Sequence, residues 1–149
     1  MRPRTPEQWF MNATEDERKR EASRSLRIAI EDQAVARLCL TKVPPSVGIA
    51  GCHRQQSFEK IVKGMLIVTG IHFPKTHDLR SLADLAEGPY PEWRDLFMRG
   101  VPLTGWGWVY RYPGLEDDPP PDPDELSAAL MTIDQLMTQL RDLIVPYVN

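Results

Sequence analysis

The polar residues best placed for chemistry lie in the stretch from Gly51 to Leu85. Gln56, Glu59 and Lys63 are three and four residues apart, so a helix would carry them on one face. Glu59 precedes Lys63 by four residues, which is the better orientation for an ion pair on a helix. The stripe therefore offers amide, carboxylate and ammonium groups to a charged ligand, although a structural ion pair is the favoured interpretation of Glu59 and Lys63.

An apolar face runs beside this polar stripe. Its residues recur with the period of a buried helical face, and they are Phe58, Ile61, Val62, Met65 and Leu66. The pattern predicts a helix over residues 46–69, for which Ser46 is a candidate cap. Gly70 should end it, because glycine adopts the left-handed conformation of a helix C-terminus at little steric cost.

A second helix should follow a short turn that Pro74 stiffens. Thr76 is predicted to cap this helix, and Asp78 falls in its first turn, where negative charge is favoured. His77 lies at the same helix start, where it is a candidate for capping or for contact with a partner. One apolar face of the helix is formed by Leu79, Leu82 and Leu85.

Two longer helices frame this pair. Thr14 and Glu17 match a capping box and predict a helix that runs to about residue 40. Its second half should enter the core through Leu26, Ala29, Ile30, Val35, Leu38 and Leu40. Asp122 and Glu125, with proline between them, predict the start of a final amphipathic helix over residues 122–145.

The remaining segments fit a single domain over residues 1–149. Residues 1–13 are an N-terminal extension whose Trp9 and Phe10 should dock on the helices. Pro91 suits the first turn of a short helix that Gly100 ends. Residues 114–122 are rich in proline and acids, which indicates an extended surface loop.

The stretch LTGWGWVYRYPG is ambiguous by pattern alone. Its alternating aromatic residues are typical of a strand, but no other strand-like run exists to pair with it. A short helix is therefore the preferred prediction. The whole pattern predicts an all-α, up-and-down bundle of four main helices with one or two short ones.

Three ordered motifs resemble the HEPN family (higher eukaryotes and prokaryotes nucleotide-binding domain). They are Q-Q-x-x-E-K-x-x-K-x-x-L from Gln55 to Leu66, G-I-x-F-P-K-T-H-D-L from Gly70 to Leu79, and the triplet Arg111-Tyr112-Pro113. The final amphipathic helix completes the pattern, which covers residues 26–144. The resemblance implies a helical domain that binds a nucleotide or a substrate.

One family motif is absent from the sequence. HEPN ribonucleases carry Arg, four to six residues, and then His, which pairs a cation for the phosphorane with an imidazole for proton transfer. None of His53, His72 and His77 has an Arg at that spacing upstream. The resemblance therefore implies the non-ribonuclease branch, whose members pair with minimal nucleotidyltransferases that supply the catalytic carboxylates and the metal.

Composition sets broader limits. The net charge of −3 divides unevenly: residues 1–75 hold 13 Lys and Arg against 8 acids, whereas residues 76–149 hold 5 against 13. A uniformly basic nucleic-acid binder is disfavoured, although binding of nucleic acid by the basic N-terminal surface stays open. No membrane span or signal peptide is evident, and a cytoplasmic protein is expected.

The two cysteines, Cys39 and Cys52, lie on separate predicted helices without metal-ligand spacing. Two buried, reduced thiols are expected. The sequence predicts no catalytic residue, no metal ligand and no cofactor.

Two hypotheses of different classes follow. The first is a non-catalytic accessory subunit that dimerises, pairs with a nucleotidyltransferase or binds a nucleotide, through Gln56, Glu59, Lys63, His77 and Arg111. The alternative is a degenerate ribonuclease that uses Arg111 with a distant histidine. A helical scaffold without a ligand is a third possibility. A homodimer is expected, because the helices carry more apolar faces than a minimal bundle needs.

Overall fold

The structure, a computed structural model, describes residues 2–105 and 122–145. Within these ranges the chain forms six α-helices and no strand, which confirms the predicted all-α class. The helices are α1 (Pro6–Asn12), α2 (Glu15–Thr41), α3 (Val47–Thr69), α4 (Leu79–Glu87), α5 (Arg94–Gly100) and α6 (Pro123–Ile144), with 3₁₀ turns at Pro91–Trp93 and Val101–Leu103.

Local sequence signals fix most of the helix ends. Thr14 accepts a hydrogen bond from the backbone N–H of Glu17, whose carboxylate accepts from the backbone of Thr14 in return. Asp122 and Glu125 make the same reciprocal capping box at the start of α6. Gly70 ends α3 with φ of 74°, in the left-handed region that favours glycine. These three predictions from sequence are confirmed.

The helix α3 is the centre of the bundle. It packs against α2 on one side and α6 on another, and α2 and α6 also contact each other, as predicted. The apolar stripe that identified α3 in the sequence is fully buried. Burial of a single aliphatic or aromatic side chain contributes about 1.5–3 kcal/mol, so this stripe is a major source of stability.

Several sequence expectations need correction. Asp78, not Thr76, caps α4: its carboxylate accepts from the N–H of Arg80, while the Thr76 hydroxyl accepts from the N–H of Asp78. Leu85 is 36% exposed, because α4 is only nine residues long and buries its other leucines instead.

Two residues expected in the core lie outside it. Leu38 of α2 is 70% exposed and Val35 is 36% exposed, because the buried side of this helix is lined by smaller residues such as Ala29 and Ala36. Cys39 is half-buried, whereas Cys52 is buried as expected, and the two cysteines form no disulfide with each other.

The N-terminal extension contains a short helix that was not predicted from the sequence. This helix is α1, which Thr5 caps, and its Trp9 and Phe10 pack against the core, as predicted. The aromatic stretch predicted as a short helix lies mostly in residues 106–121, and the acidic loop lies almost wholly there; both fall outside the described residues apart from their ends.

Candidate functional site

Glu59 is the centre of a polar cluster on α3. Glu59 is 3% exposed, and its carboxylate accepts hydrogen bonds from Gln55 Nε2 at 2.9 Å and from Lys63 Nζ at 2.7 Å. These partners lie four residues before and after Glu59, so one helical face carries all three. A third partner, His77, approaches from the connection before α4, with Nδ1 at 3.0–3.1 Å from both carboxylate oxygens.

The partners of Glu59 decide its charge. Burial raises the pKa of this carboxyl group, but the hydrogen bonds from Lys63 and His77 act against burial and leave the pKa below its usual value. Glu59 is therefore ionised at neutral pH, although it is almost inaccessible to solvent.

An ionised carboxylate fixes the orientation of the imidazole. Since Glu59 can only accept hydrogen bonds, Nδ1 of His77 is the protonated nitrogen, and Nε2 is left for another partner. The His77 side chain is 67% exposed. The imidazole is thus held at Nδ1 by Glu59, and its distal nitrogen, Nε2, is accessible.

A second imidazole is held in the same way. Nδ1 of His53 on α3 lies 2.8 Å from a carboxylate oxygen of Asp32 on α2. The side chain of Asp32 is 11% exposed and that of His53 is 28% exposed. Two carboxylate–imidazole pairs therefore lie between the described helices, one joining α2 to α3 and one joining α3 to the connection before α4.

A cleft of about 250 Å³ lies beside these pairs. Its lining residues are Ile28, Asp32, Gln56, Glu59, Lys60 and His77. Lys60, Gln56 and His77 provide an ammonium group, an amide and an imidazole, whereas both acids already have partners. The hydrogen-bond donors of Lys60, Gln56 and His77 suit a small ligand group that is anionic or strongly polar.

The structure brings together four of the five residues predicted from sequence. Glu59, Lys63 and His77 are in direct contact, and Gln56 lines the cleft with its Nε2 at 3.4 Å from Cys52 Sγ. The fifth, Arg111, lies outside the described residues.

Three residues of the cleft region were missed by sequence reasoning. His53 and Lys60 flank Gln56 at helical spacing, so the stripe itself could have pointed to them. Asp32 gave no such signal, because its pairing with His53 joins two helices that only the fold brings together.

A different polar network lies between α2, α3 and α6. Arg54 is 1% exposed, and its guanidinium donates to Gln33 Oε1 at 2.9 Å. Gln33 in turn donates to Asp134 at 3.3 Å, and the exposed Arg37 reaches both oxygens of Asp134 at 3.2 Å. Arg54 Nε has no hydrogen-bond partner among residues 2–105 and 122–145. Burial lowers the pKa of Arg54 to about 10.

The described residues show neither of two other kinds of site. In residues 2–105 and 122–145, no three His, Cys, Asp or Glu side chains are grouped so that they could hold a metal ion. No helix in the same ranges combines the length and apolar character that a bilayer crossing requires.

Comparison with known families places the chain. The model of the HEPN domain matches residues 22–143, which is most of the chain and includes both carboxylate–imidazole pairs. The chain belongs to the HEPN family. No curated protein and no solved structure matches this chain. The helix α1 lies outside the matched residues.

Proposed function

We propose that this HEPN protein is a non-catalytic nucleotide-binding subunit that acts together with a minimal nucleotidyltransferase. The observation that carries the proposal is the Glu59–His77 pair. It holds the distal nitrogen of an imidazole at a cleft that Lys60 also lines. The Lys60 ammonium group and the His77 imidazole, which Glu59 holds at Nδ1, would together bind one phosphate group.

Nucleotide binding can be tested by calorimetry on the full chain at millimolar AMP and GMP. The His77→Gln variant should weaken binding by about tenfold, the lower range for a hydrogen bond to a charged group. His72→Gln is the matched control, because His72 is exposed and does not line the cleft. Equal affinities of the two variants would contradict the assignment of the cleft.

The partner is tested separately. A nucleotidyltransferase frame adjacent to the gene, co-expressed with it, should form a complex that survives size exclusion. The chain of the partner should bring the carboxylates and the metal, as the resemblance to this branch implies. Separate elution of the two purified proteins at micromolar concentration would contradict the partnership.

We also propose a homodimer; the sequence offers the aromatic residues Trp93, Phe97, Trp106 and Trp108 as one candidate surface for it. Phe97 is buried in the core and Trp93 stacks on Tyr90, so these two are already packed, while Trp106 and Trp108 lie outside the described residues. The helix α2 exposes Ile28, Val35 and Leu38 instead.

Ile28 lines the cleft, so the proposed dimer surface is formed by Val35 and Leu38, which lie three residues apart on one face of α2. Light scattering at tens of micromolar should give a dimer mass, and Leu38→Glu should reduce it to that of a monomer. Met131→Glu is the control, since Met131 on α6 is 66% exposed and Leu38 is 70% exposed. A monomer in the wild type would refute the proposal.

Cleavage of RNA is the second candidate function. The observation that favours it is the presence of two imidazoles held by carboxylates near one cleft, since one could accept a proton and the other donate one. Incubation of the wild type with a single-stranded oligoribonucleotide, beside His53→Gln, tests this. Intact RNA in the wild type, or equal cleavage in both proteins, excludes this use of His53.

A further inference from the structure

A second cavity lies between α1, α2, α3 and the connection before α4. It has a volume of about 350 Å³ and is lined by Pro6, Trp9, Phe10, Glu21, Ile67 and Phe73. Three of these residues belong to α1, which lies outside the residues matched by the HEPN domain. The cavity is called here the aromatic pocket.

Helical spacing puts the aromatic pocket and the cleft in line. Glu21 of the pocket precedes Ile28 and Asp32 of the cleft by seven and eleven residues on α2, which keeps them on one face. On α3, Lys60 of the cleft precedes Ile67 of the pocket by seven residues, or about 10 Å along the axis at 1.5 Å per residue. A nucleoside monophosphate has about this extent.

Lys63 connects the two sites. Its ammonium group lies 2.7 Å from Glu59 Oε1 and 5.7 Å from the centre of the Phe73 ring. Phe73 lines the pocket and Glu59 lines the cleft, so one ammonium group touches the wall of each. A ligand with an aromatic ring at one end and a phosphate at the other would span them.

The residues that line the aromatic pocket indicate which aromatic ring of a ligand it could bind. Phe10 meets Trp9 and Phe73 edge to face, with ring centres 5.2 Å and 5.6 Å apart, so the cluster is rigid and presents aromatic surface. Glu21 is the one charged group among the lining residues. Its ion pair with Arg24, at 3.0 Å, is exposed and therefore weak, which leaves the carboxylate available to a ligand.

A carboxylate discriminates between purines. It accepts hydrogen bonds only, and the Watson–Crick edge of guanine presents two adjacent N–H donors, whereas that of adenine presents one donor beside an acceptor. We propose that the aromatic pocket binds the base of a guanine nucleotide, with Glu21 reading its edge and the phosphate placed in the cleft at Lys60 and His77. This inference rests on the proposed function and names its ligand class.

The test compares GMP, AMP and ribose 5-phosphate by calorimetry on the full chain. GMP should bind at least about tenfold more tightly than AMP, because one hydrogen bond to a charged group gives that factor. Glu21→Gln should bring the two affinities to within about twofold of each other, since an amide offers one acceptor and one donor in place of two acceptors.

Glu87→Gln is the matched control. Glu87 on α4 also pairs with an exposed arginine, Arg94, at 3.3 Å, and its side chain is 37% exposed against 43% for Glu21. This variant should retain the preference for GMP. Phe10→Leu should weaken the affinity for both nucleotides by about fivefold or more, because stacking on the base is lost, and should leave the affinity for ribose 5-phosphate unchanged. Thermal melting checks that this variant is folded.

The outcomes separate the two proposals. Equal affinities for GMP and AMP in the wild type, with no effect of Phe10→Leu, would overturn the base pocket and leave the nucleotide-binding function standing. Loss of binding in Glu87→Gln as well as in Glu21→Gln would also overturn it, because the effect would not come from the pocket. Absence of binding by all three ligands at millimolar concentration would overturn both proposals.

Discussion

The two buried polar clusters of this bundle share a helix but differ in how their charge is satisfied. Glu59 on α3 is surrounded by a cation and an imidazole, and its pKa is lowered despite burial. Arg54, five residues earlier, donates to the side-chain amide oxygen of Gln33, and burial lowers its pKa to about 10. In the first cluster the partners overcome desolvation, and in the second desolvation dominates.

The difference separates a candidate site from a structural network. Glu59 lines a cleft, and its partner His77 reaches solvent. Arg54 lines none of the cavities described above, and its network joins α2, α3 and α6. Buried polar networks of this kind restrict how helices can pack. An ionised carboxylate that is paired with a cation beside a cleft instead positions other groups for a ligand.

The largest effect is expected in the network of Arg54. Gln33→Ala should lower the free energy of unfolding by about 3 kcal/mol, because it leaves a buried guanidinium without its amide partner. Arg54→Met should cost less than about 1.5 kcal/mol, since an apolar side chain of similar length removes the buried charge itself. Urea unfolding measures both. A smaller loss for Gln33→Ala than for Arg54→Met would reverse the interpretation of this cluster.

Replacement of the charge at the centre of the candidate site should have the next largest effect. Glu59→Gln should lower the free energy of unfolding by about 2 kcal/mol, the range for hydrogen bonds to a charged group, because Lys63 loses its counter-ion. It should also weaken nucleotide binding, since a neutral amide oxygen accepts the hydrogen bond from His77 less strongly than a carboxylate does. Glu31→Gln is the control on the exposed side of α2. Unchanged nucleotide affinity in Glu59→Gln would show that the Glu59–His77 pair is not needed for nucleotide binding.

The titration of Glu59 offers a third and smaller effect. Its pKa in the folded state is lower than in the unfolded chain, so its contribution to stability is present above the unfolded value of about 4.3. That contribution is lost as the pH falls through the folded pKa. Melting temperatures from pH 6 to pH 3 should decline more steeply in the wild type than in Glu59→Gln. Parallel curves would mean that Glu59 has no lowered pKa.

The sequence predicted those features that depend on local chemistry. The capping boxes at Thr14 and Asp122 and the left-handed Gly70 are set by neighbouring residues, so pattern alone located these helix ends. The Glu59–Lys63 pair was predicted for the same reason, since both residues lie on one helix. Tertiary packing does not enter these predictions.

The remaining features depend on which helices meet. Leu38 is apolar and at a plausible helical position, yet its side of α2 is not covered in the described structure. The pairs Asp32–His53 and Glu59–His77 join residues 21 and 18 positions apart, and no local pattern reports such a contact. The site residues on α3 and His77 could therefore be named from the sequence, but the contacts of His77 with Glu59 and of Asp32 with His53 could not be predicted.

The smallest effect on stability and the sharpest test of the comparison concern His77. Because its side chain is 67% exposed, His77→Asn should change the free energy of unfolding by no more than about 0.5 kcal/mol. Asparagine keeps a donor that can reach Glu59 but has no counterpart of the distal Nε2, so nucleotide affinity should fall by about tenfold.

A double-mutant cycle with Glu59→Gln decides whether the two residues act as one unit. Non-additive losses of affinity, with the double variant little worse than His77→Asn, are expected if Glu59 acts by positioning the imidazole. Fully additive losses would show that Glu59 contributes by another route.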